Sequence, residues 1–96
     1  MPFESIHNRI EAVVFDTVRK ASGRFPDLAG NENLLADAAC VALNSLPAQY
    51  VRHDVDTSDH ISDVQRLAEA SAVSRAVDAA LDLVRSRRAS RDRSHV

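Results

Sequence analysis

Hydrophobic residues recur at three- and four-residue steps along most of the chain, which is the spacing of one face of an α-helix. In the first segment with this spacing they are Ile6, Ile10, Val13 or Val14, and Val18. The pattern predicts a first helix from about Glu4 to Ser22, and Gly23 is well placed to end it. Residues 23–32 then read as a loop, because Pro26 and Gly30 interrupt the pattern.

A second helix is predicted from an N-cap at Asn31 or Asn33 to about Leu46. It ends there because Pro47 cannot continue the helical hydrogen bonds. This helix mixes small residues with larger apolar ones: Ala38, Ala39, Cys40 and Ala42 with Leu34, Leu35, Val41, Leu43 and Leu46. Small side chains allow another helix to approach closely, while the leucines and valines supply apolar area.

Residues 47–57 are predicted to form an extended connector, with a short strand over Tyr50–His53. A third helix follows, with Thr57 or Ser58 as N-cap candidates and Ser62-x-x-Gln65 as a second capping-box signature. It is expected to run to about Arg88. Its apolar positions form two adjoining sets: Ile61, Val64, Leu67, Ala68, Ala72, Ala76, Ala80 and Leu83, and then Val73, Val77, Leu81 and Val84.

A stripe this wide can cover more than one neighbouring helix, so we expect part of it to be buried against a second copy of the chain. The predicted fold class is all-α: three main helices with a short extended segment after Pro47, in a compact single domain that forms a helical homodimer. The domain is predicted to span residues 1–88, with a basic, disordered tail at 89–96.

Composition supports this fold class. The 96 residues suffice for one small domain, and two Gly, three Pro and four aromatic residues favour helices over an all-β fold. Cys40 is the single cysteine, which excludes an intramolecular disulfide and a zinc site built from cysteines. Its apolar neighbours predict an inert, buried thiol.

Charge is distributed unevenly along the chain. The net charge is −2, yet residues 85–96 carry five Arg and one Asp, so the remainder is clearly acidic. The arginines complement the C-terminal dipole of the third helix. A single basic run without interleaved aromatic residues is weak support for nucleic-acid binding, which we do not expect. We expect no signal peptide, no membrane span and a cytoplasmic location, since no basic region precedes an apolar run and no apolar stretch is long enough.

The segment around the second helix carries a resemblance to a known family. The residues that match the pattern of that family lie in the first predicted helix and in this segment. They are Asn8, Glu11, Val14, Asp37, Ala42, Leu43, Asn44, Leu46, Pro47, Tyr50 and Val51. On these residues the chain resembles the late competence protein ComFB family over about residues 5–56, with a looser continuation into the third helix. The sequence NENLLADA stands where some relatives have a Cys cluster, and Ser45, Ala48 and Gln49 replace Arg-Pro-Arg type residues.

The resemblance implies a small, mostly helical, dimeric and non-enzymatic protein. Because the Cys cluster of some relatives is missing from this sequence, we expect no metal, and we expect no cofactor. Some members of that family are receptors for the second messenger cyclic di-GMP, linked to competence, type IV pili or motility. We therefore expect a cyclic di-GMP-binding receptor or adaptor that passes its signal to an effector protein. The alternative is a ligand-free dimeric interaction module of the same systems.

Candidate ligand-binding residues cluster after Pro47. Tyr50, Arg52, His53, Asp54 and Asp56 offer a stacking ring, a cation and carboxylates, and Arg9 and Arg19 add cations near the first helix. Arginine pairs in a bidentate manner with phosphate or guanine, and carboxylates accept hydrogen bonds from the N1–N2 edge of guanine. The competing interpretation is that Tyr50 packs in the core and the charged residues form a solvated loop.

Four catalytic or metal-binding interpretations are less favoured. His53-Asp54 could belong to a metal-dependent HD phosphohydrolase if His7 and Asp78 completed the site, but the dyad follows an extended segment rather than lying on a helix. Asp54-Val55-Asp56-Thr57 mimics a phosphotransferase motif without its parallel sheet, and it lacks the Gly and Glu of a calcium loop. A metal set of His7, Cys40, His53 and His60 has no closely spaced pair. We expect no enzyme.

Overall fold

Three α-helices and a two-stranded ladder make up the regular structure of the residues that the computed structural model describes, 2–52 and 62–94. The helices are α1 (Ile10–Ala21), α2 (Glu32–Ser45) and α3 (Asp63–Ser94), and the strands are β1 (His7–Asn8) and β2 (Tyr50–Val51). Short 3-10 helices cover Pro2–Ser5 and Ser22–Arg24. The predicted fold class, a compact all-α domain of three main helices, is confirmed; the homodimer stays a prediction.

The core is built on α3, the only helix of the described residues long enough to contact both others along their length. With 32 residues it is about 48 Å long at 1.5 Å per residue, close to the longest dimension of the molecule, 53 Å. Its middle buries one stripe, Val73, Val77, Ala80, Leu81 and Val84. Against this stripe pack Ile10, Val14, Val18 and Ala21 of α1 and Leu35, Ala38, Ala39 and Ala42 of α2.

The loop between α1 and α2 belongs to the core as well. Phe25 and Leu28 are buried, and Leu28 has no exposed surface. On the outside, Asp27 accepts from Arg85 and, through its carbonyl, from Arg88 at 2.7 Å. The loop ends at Gly30, whose φ of +83° is a left-handed conformation that favours glycine.

Two predicted helix starts and one helix end are confirmed. The side chain of Asn31 accepts a hydrogen bond from the Leu34 amide at 3.2 Å, which makes it the N-cap of α2. Ser62 and Gln65 form a reciprocal capping box at α3, since each side chain accepts from the other residue's amide. At its other end α2 stops at Ser45, immediately before Leu46 and Pro47.

The N-terminal part of the first predicted helix is wrong. The structure places a 3-10 helix and β1 over residues 2–8, so α1 begins at Ile10 and Ile6 is half exposed. The cause is pairing with a distant segment: His7 and Asn8 lie antiparallel to Val51 and Tyr50. The predicted extended segment after Pro47 is thus present, as β2, while the candidates Thr57 and Ser58 lie outside the described residues.

One prediction about α3 also needs correction. The helix continues to Ser94, so residues 89–94 are helical rather than disordered; Ala and Arg favour helix and no Gly or Pro interrupts this stretch. Of the two apolar sets on α3, the second set and Ala80 of the first set are buried in the core, while Val64 and Leu67 of the first set are exposed. Although α3 is long, no helix of the described chain has the length and apolar character needed to cross a bilayer.

Removal of a core side chain from α3 tests this architecture. We expect Leu81→Ala to lower the free energy of unfolding by about 2–5 kcal/mol, because Leu81 is fully buried and its loss leaves a cavity. Leu83→Ala, on the same helix but 38% exposed, is the matched control and should cost less than half as much. Equal losses in urea unfolding of the two variants would contradict the assignment of the core stripe.

Candidate functional site

Asn8 joins the start of α1 to the segment that follows Pro47. Its side-chain oxygen accepts hydrogen bonds from the Ile10 amide at 3.3 Å and from the Gln49 amide at 2.8 Å. The Arg9 amide donates to the Gln49 carbonyl at 2.7 Å, next to the β1–β2 ladder. Residues 41 positions apart are therefore held as one unit, which explains why a side-chain acceptor is needed at position 8.

A cleft of about 440 Å³ opens between this unit and the N-terminal half of α3. Its volume lies in the range of small-molecule sites. It is lined by Arg9, Ile10, Leu46, Pro47, Gln49, Gln65, Ala68, Glu69, Ala72 and Val73. The walls are mostly apolar, and the polar groups among the lining residues are the guanidinium of Arg9, the carboxylate of Glu69 and two amide side chains.

Arg9 and Glu69 form an ion pair across the inner part of the cleft. Both guanidinium nitrogens Nη1 and Nη2 donate to the two carboxylate oxygens of Glu69, a bidentate arrangement. The side chains are 18% and 24% exposed, so solvent screens the pair less than the surface pairs of the molecule. The Nε atom of Arg9 is buried and has no hydrogen-bond partner among residues 2–52 and 62–94.

The polar side chains of the cleft offer hydrogen bonds and charge. Among the described lining residues there is no Ser, Cys, Thr or His. Gln49 and Gln65 can both donate and accept hydrogen bonds, although the Oε1 atom of Gln65 already accepts from the Ser62 amide. An apolar floor with a few polar groups fits a flat, partly polar ligand.

Two of the sequence-predicted ligand residues lie on β2 and directly after it. Tyr50 is 71% exposed, so the alternative in which it packs in the core is wrong. Arg52 is exposed, and its Nε atom donates to the hydroxyl of Ser5 at 3.2 Å. Tyr50 pairs with Asn8, so its backbone lies beside the residue that precedes Arg9, but its side chain is not among those that line the cleft.

The other predicted residues are distributed differently. Arg9 lines the cleft, whereas Arg19 lies ten residues further along α1, about 15 Å away by helical rise, and faces Glu32 at 3.7 Å. Arg9, Tyr50 and Arg52 thus share one region and Arg19 does not. The predictions for His53, Asp54 and Asp56 fall outside the described residues.

The residues proposed to complete a phosphohydrolase site lie apart. His7 is on β1, before the start of α1, while Asp78 accepts from Arg24, beyond the end of α1, at 2.6 Å. A search of residues 2–52 and 62–94 finds no group of three His, Cys, Asp or Glu side chains that could hold a metal ion.

Cys40 differs from its prediction. The thiol is exposed on α2 rather than buried, because Ala38, Ala39 and Ala42 take the core-facing positions of this helix.

Sequence reasoning missed Glu69 and Gln65 as parts of the site. Neither has a local motif, since the partner of Glu69 is 60 positions away in sequence. One signal was present: Glu69 is the single charged residue in the stretch from Leu67 to Val73. An isolated carboxylate in such a stretch often has a specific partner when it is not fully exposed.

Comparison with protein families finds a match that covers most of the chain. The family model described as late competence development protein ComFB matches residues 7–88, which includes both strands, all of α1 and α2, and most of α3. The same comparison made with curated proteins and with solved structures finds no match.

The Arg9–Glu69 pair can be tested by removing its acid. We expect Glu69→Ala to lower the free energy of unfolding by about 1–3 kcal/mol, because it leaves a largely buried guanidinium unpaired. Asp78→Ala, which removes the exposed partner of Arg24, is the control and should cost about 1 kcal/mol or less. If chemical denaturation gives the same small loss for both variants, the pair does not hold α1 to α3.

Proposed function

We propose a signalling role for this protein on the premise that the chain belongs to the late competence development protein ComFB family. The match over residues 7–88 confirms the resemblance read from Asn8 to Val51 and indicates a competence-related role. Within that role we propose that the protein is a non-enzymatic receptor or adaptor that binds cyclic di-GMP. We propose that it acts in a system for competence, type IV pili or motility.

The observation that carries the proposal is a cleft lined by Arg9 whose neighbouring strand β2 carries Tyr50 and is followed directly by Arg52. Arg9 lines the cleft, Tyr50 is exposed and pairs through its backbone with Asn8, and Arg52 is the first residue after β2. A cyclic dinucleotide presents two phosphates and two guanine bases. Cations and an exposed aromatic ring near a largely apolar cleft are groups that such a ligand requires.

Each residue has a distinct role in this proposal. Arg52 is exposed, and among the described residues its Nε atom donates to Ser5, so its guanidinium can turn to a phosphate. Tyr50 stacks on a guanine, and the amide of Gln49 pairs with a base edge. Arg9 supplies positive charge at the inner end, where Glu69 fixes its position.

The ligand region is linked to α3 by Arg9 and Glu69, which gives a route for the signal. A ligand phosphate near Arg9 competes with the Glu69 carboxylate for the same guanidinium. Binding would then alter how the N-terminal half of α3 sits on the domain. We propose that a homodimer of the protein presents this change to an effector protein, in the cytoplasm where nucleotide messengers are made.

A ligand-free interaction module is the second candidate. It is favoured by the scarcity of unpaired positive charge near the cleft. Arg9 is paired with Glu69, and Ser45 and Gln49 replace the arginine-type residues named in the family resemblance. A receptor for a dianion needs cations that are not neutralised by the protein itself. In this alternative the protein dimerises and docks onto a partner without responding to nucleotides.

Calorimetric titration with cyclic di-GMP tests the receptor proposal, with cyclic di-AMP and GMP as ligand controls. We expect micromolar or tighter binding of cyclic di-GMP, about −8 kcal/mol or more favourable. Arg52→Ala should weaken binding roughly tenfold or more, since it removes a charge-assisted hydrogen bond. Arg87→Ala, an exposed arginine at the other end of α3, should leave the affinity unchanged.

Two results would overturn parts of this proposal. Absence of any heat with cyclic di-GMP, together with no thermal stabilisation, would leave the interaction module as the function. If Arg52→Ala binds cyclic di-GMP as tightly as the wild type, the receptor function stands, but Arg52 is not part of the binding site.

A further inference from the structure

A second cavity, of about 370 Å³, lies in a groove between α1 and α2. Apart from one ion pair its lining is apolar, and the apolar lining residues that water reaches are Phe15 of α1 and Ala36, Cys40 and Leu43 of α2. We call this surface the α1–α2 groove. No residue of α3 is among those that line it, so it opens on the side of the helix pair turned away from α3.

α2 carries more apolar surface than the core covers. Its buried residues are Leu35, Ala38, Ala39 and Ala42. Ala36, Cys40 and Leu43 recur at four- and three-residue steps on a second face, turned from the buried face by roughly a third of a circle at 100° per residue. Phe15, 46% exposed, borders the same cavity from α1. Exposed apolar side chains that line one groove, rather than being scattered singly, are typical of an interaction site.

The α1–α2 groove has the length and form of a surface that binds a helix. Its α2 side runs from Glu32 to Leu43, about 16 Å at 1.5 Å per residue, which is three helical turns. The end of α1 faces the start of α2 through Arg19 and Glu32, so the two helices flank the groove in antiparallel orientation. Ala36 is small enough for a third helix to approach closely, while Phe15 and Leu43 supply apolar side chains for it to pack against.

The charges of α1 and α2 give the groove an acidic surround. Four acidic and two basic residues lie on these helices, a net charge of −2: Glu11, Asp16, Glu32, Asp37, Arg19 and Lys20. Both basic residues are already in ion pairs, at 2.9 Å with Asp16 and at 3.7 Å with Glu32. Glu11 and Asp37 are exposed and have no ion-pair partner among the described residues. A partner with basic side chains at these two places gains attraction that an acidic partner loses.

Each helix places one of these unpaired carboxylates beside the groove. Glu11 precedes Phe15 by one turn on α1, and Asp37 precedes Cys40 by one turn on α2. On its other side Asp37 borders a separate cavity together with Arg87–Arg88, with which it forms no ion pair in the described part of the chain. The apolar groove is therefore flanked by negative charge on both helices.

We propose that the α1–α2 groove binds an amphipathic helix of a partner protein, whose apolar face packs on Phe15 and Leu43 and whose basic residues lie toward Glu11 and Asp37. The inference rests on the proposed function only in that this partner is the effector protein named there. It assigns the effector to a class, proteins that present a basic amphipathic helix. The groove shares no lining residue with the ligand cleft, so helix and cyclic dinucleotide do not compete for the same side chains.

Titration of the full chain with two synthetic peptides tests the groove. Both peptides have about 18 residues, leucines at three- and four-residue steps, and a side-chain cross-link that keeps them helical, because free helices of this length are marginal in water. Their flanking positions carry lysine in one peptide and glutamate in the other. We expect the lysine peptide to bind at least tenfold more tightly, and the ratio to fall as salt is raised.

Matched variants show whether the peptide lies in the groove. Phe15→Ala should weaken binding of the lysine peptide at least fivefold, while Leu83→Ala, which removes a 38% exposed side chain from α3, should leave it unchanged. Glu11→Gln and Asp37→Asn should each lower the ratio between the two peptides. Asp82→Asn, at an exposed position of α3, should not. Far-ultraviolet circular dichroism checks that each variant is folded.

Cys40 provides a second measurement on the unmodified chain, because it is the single cysteine and lines the groove. Saturating lysine peptide should slow the reaction of its thiol with a water-soluble disulfide reagent at least tenfold. The glutamate peptide at the same concentration should slow it much less.

The outcomes separate this inference from the proposed function. Equal binding of the two peptides, or binding that persists in Phe15→Ala and leaves Cys40 reactive, would overturn the groove as a site for a basic helix. Protection of Cys40 when the concentration of the protein alone is raised would also overturn it, because a second copy would then fill the groove. Selective binding with Cys40 protected supports the inference even if calorimetry detects no cyclic di-GMP, and loss of selectivity overturns it even if cyclic di-GMP binds.

Discussion

The packing of two short helices on the middle of one long helix is the constraint on which the rest of the structure depends. α1 and α2, with 12 and 14 residues, are too short to be stable alone in water. Their stability comes from apolar contact with Val73, Val77, Leu81 and Val84 of α3, and from the close approach that the alanines of α2 allow. The described part of α3 extends past this contact in both directions. Residues of α3 before Val73 and after Val84 are therefore largely exposed.

A second, polar constraint fixes the position of the candidate site on this framework. The side chain of Asn8 holds the start of α1 to the segment after Pro47, and Arg9 next to it reaches across to Glu69 on α3. The cleft is the space left between these two links. The residues that line it come from three separate parts of the chain: the start of α1, the segment around Pro47 and the N-terminal half of α3.

Helix starts and ends were predicted correctly where no contact with a residue distant in sequence changes the local backbone. The Asn31 cap, the Ser62–Gln65 capping box and the stop before Pro47 involve neighbours in sequence, so their chemistry can be read directly. Residues 6–8 show the opposite case. Ile6 fits the helical spacing of Ile10 and Val14, but pairing of His7 with Val51 and the hydrogen bonds of Asn8 favour an extended backbone there. No pattern within that segment reveals a partner more than forty residues away.

The sequence by itself determined the fold class, the position of α2, most of the core face of α1, and the family, since helical periodicity, caps and the residues that match the family are local properties. Only the tertiary structure decided which apolar positions on α3 became core and which, such as Val64 and Leu67, stayed exposed, because all have helical spacing and the choice depends on where α1 and α2 lie. It also brought Arg9 to Glu69 and paired Tyr50 with Asn8 while leaving Arg19 apart. These are long-range relations, and a carboxylate 60 residues from its arginine is specified by packing geometry rather than by spacing in sequence.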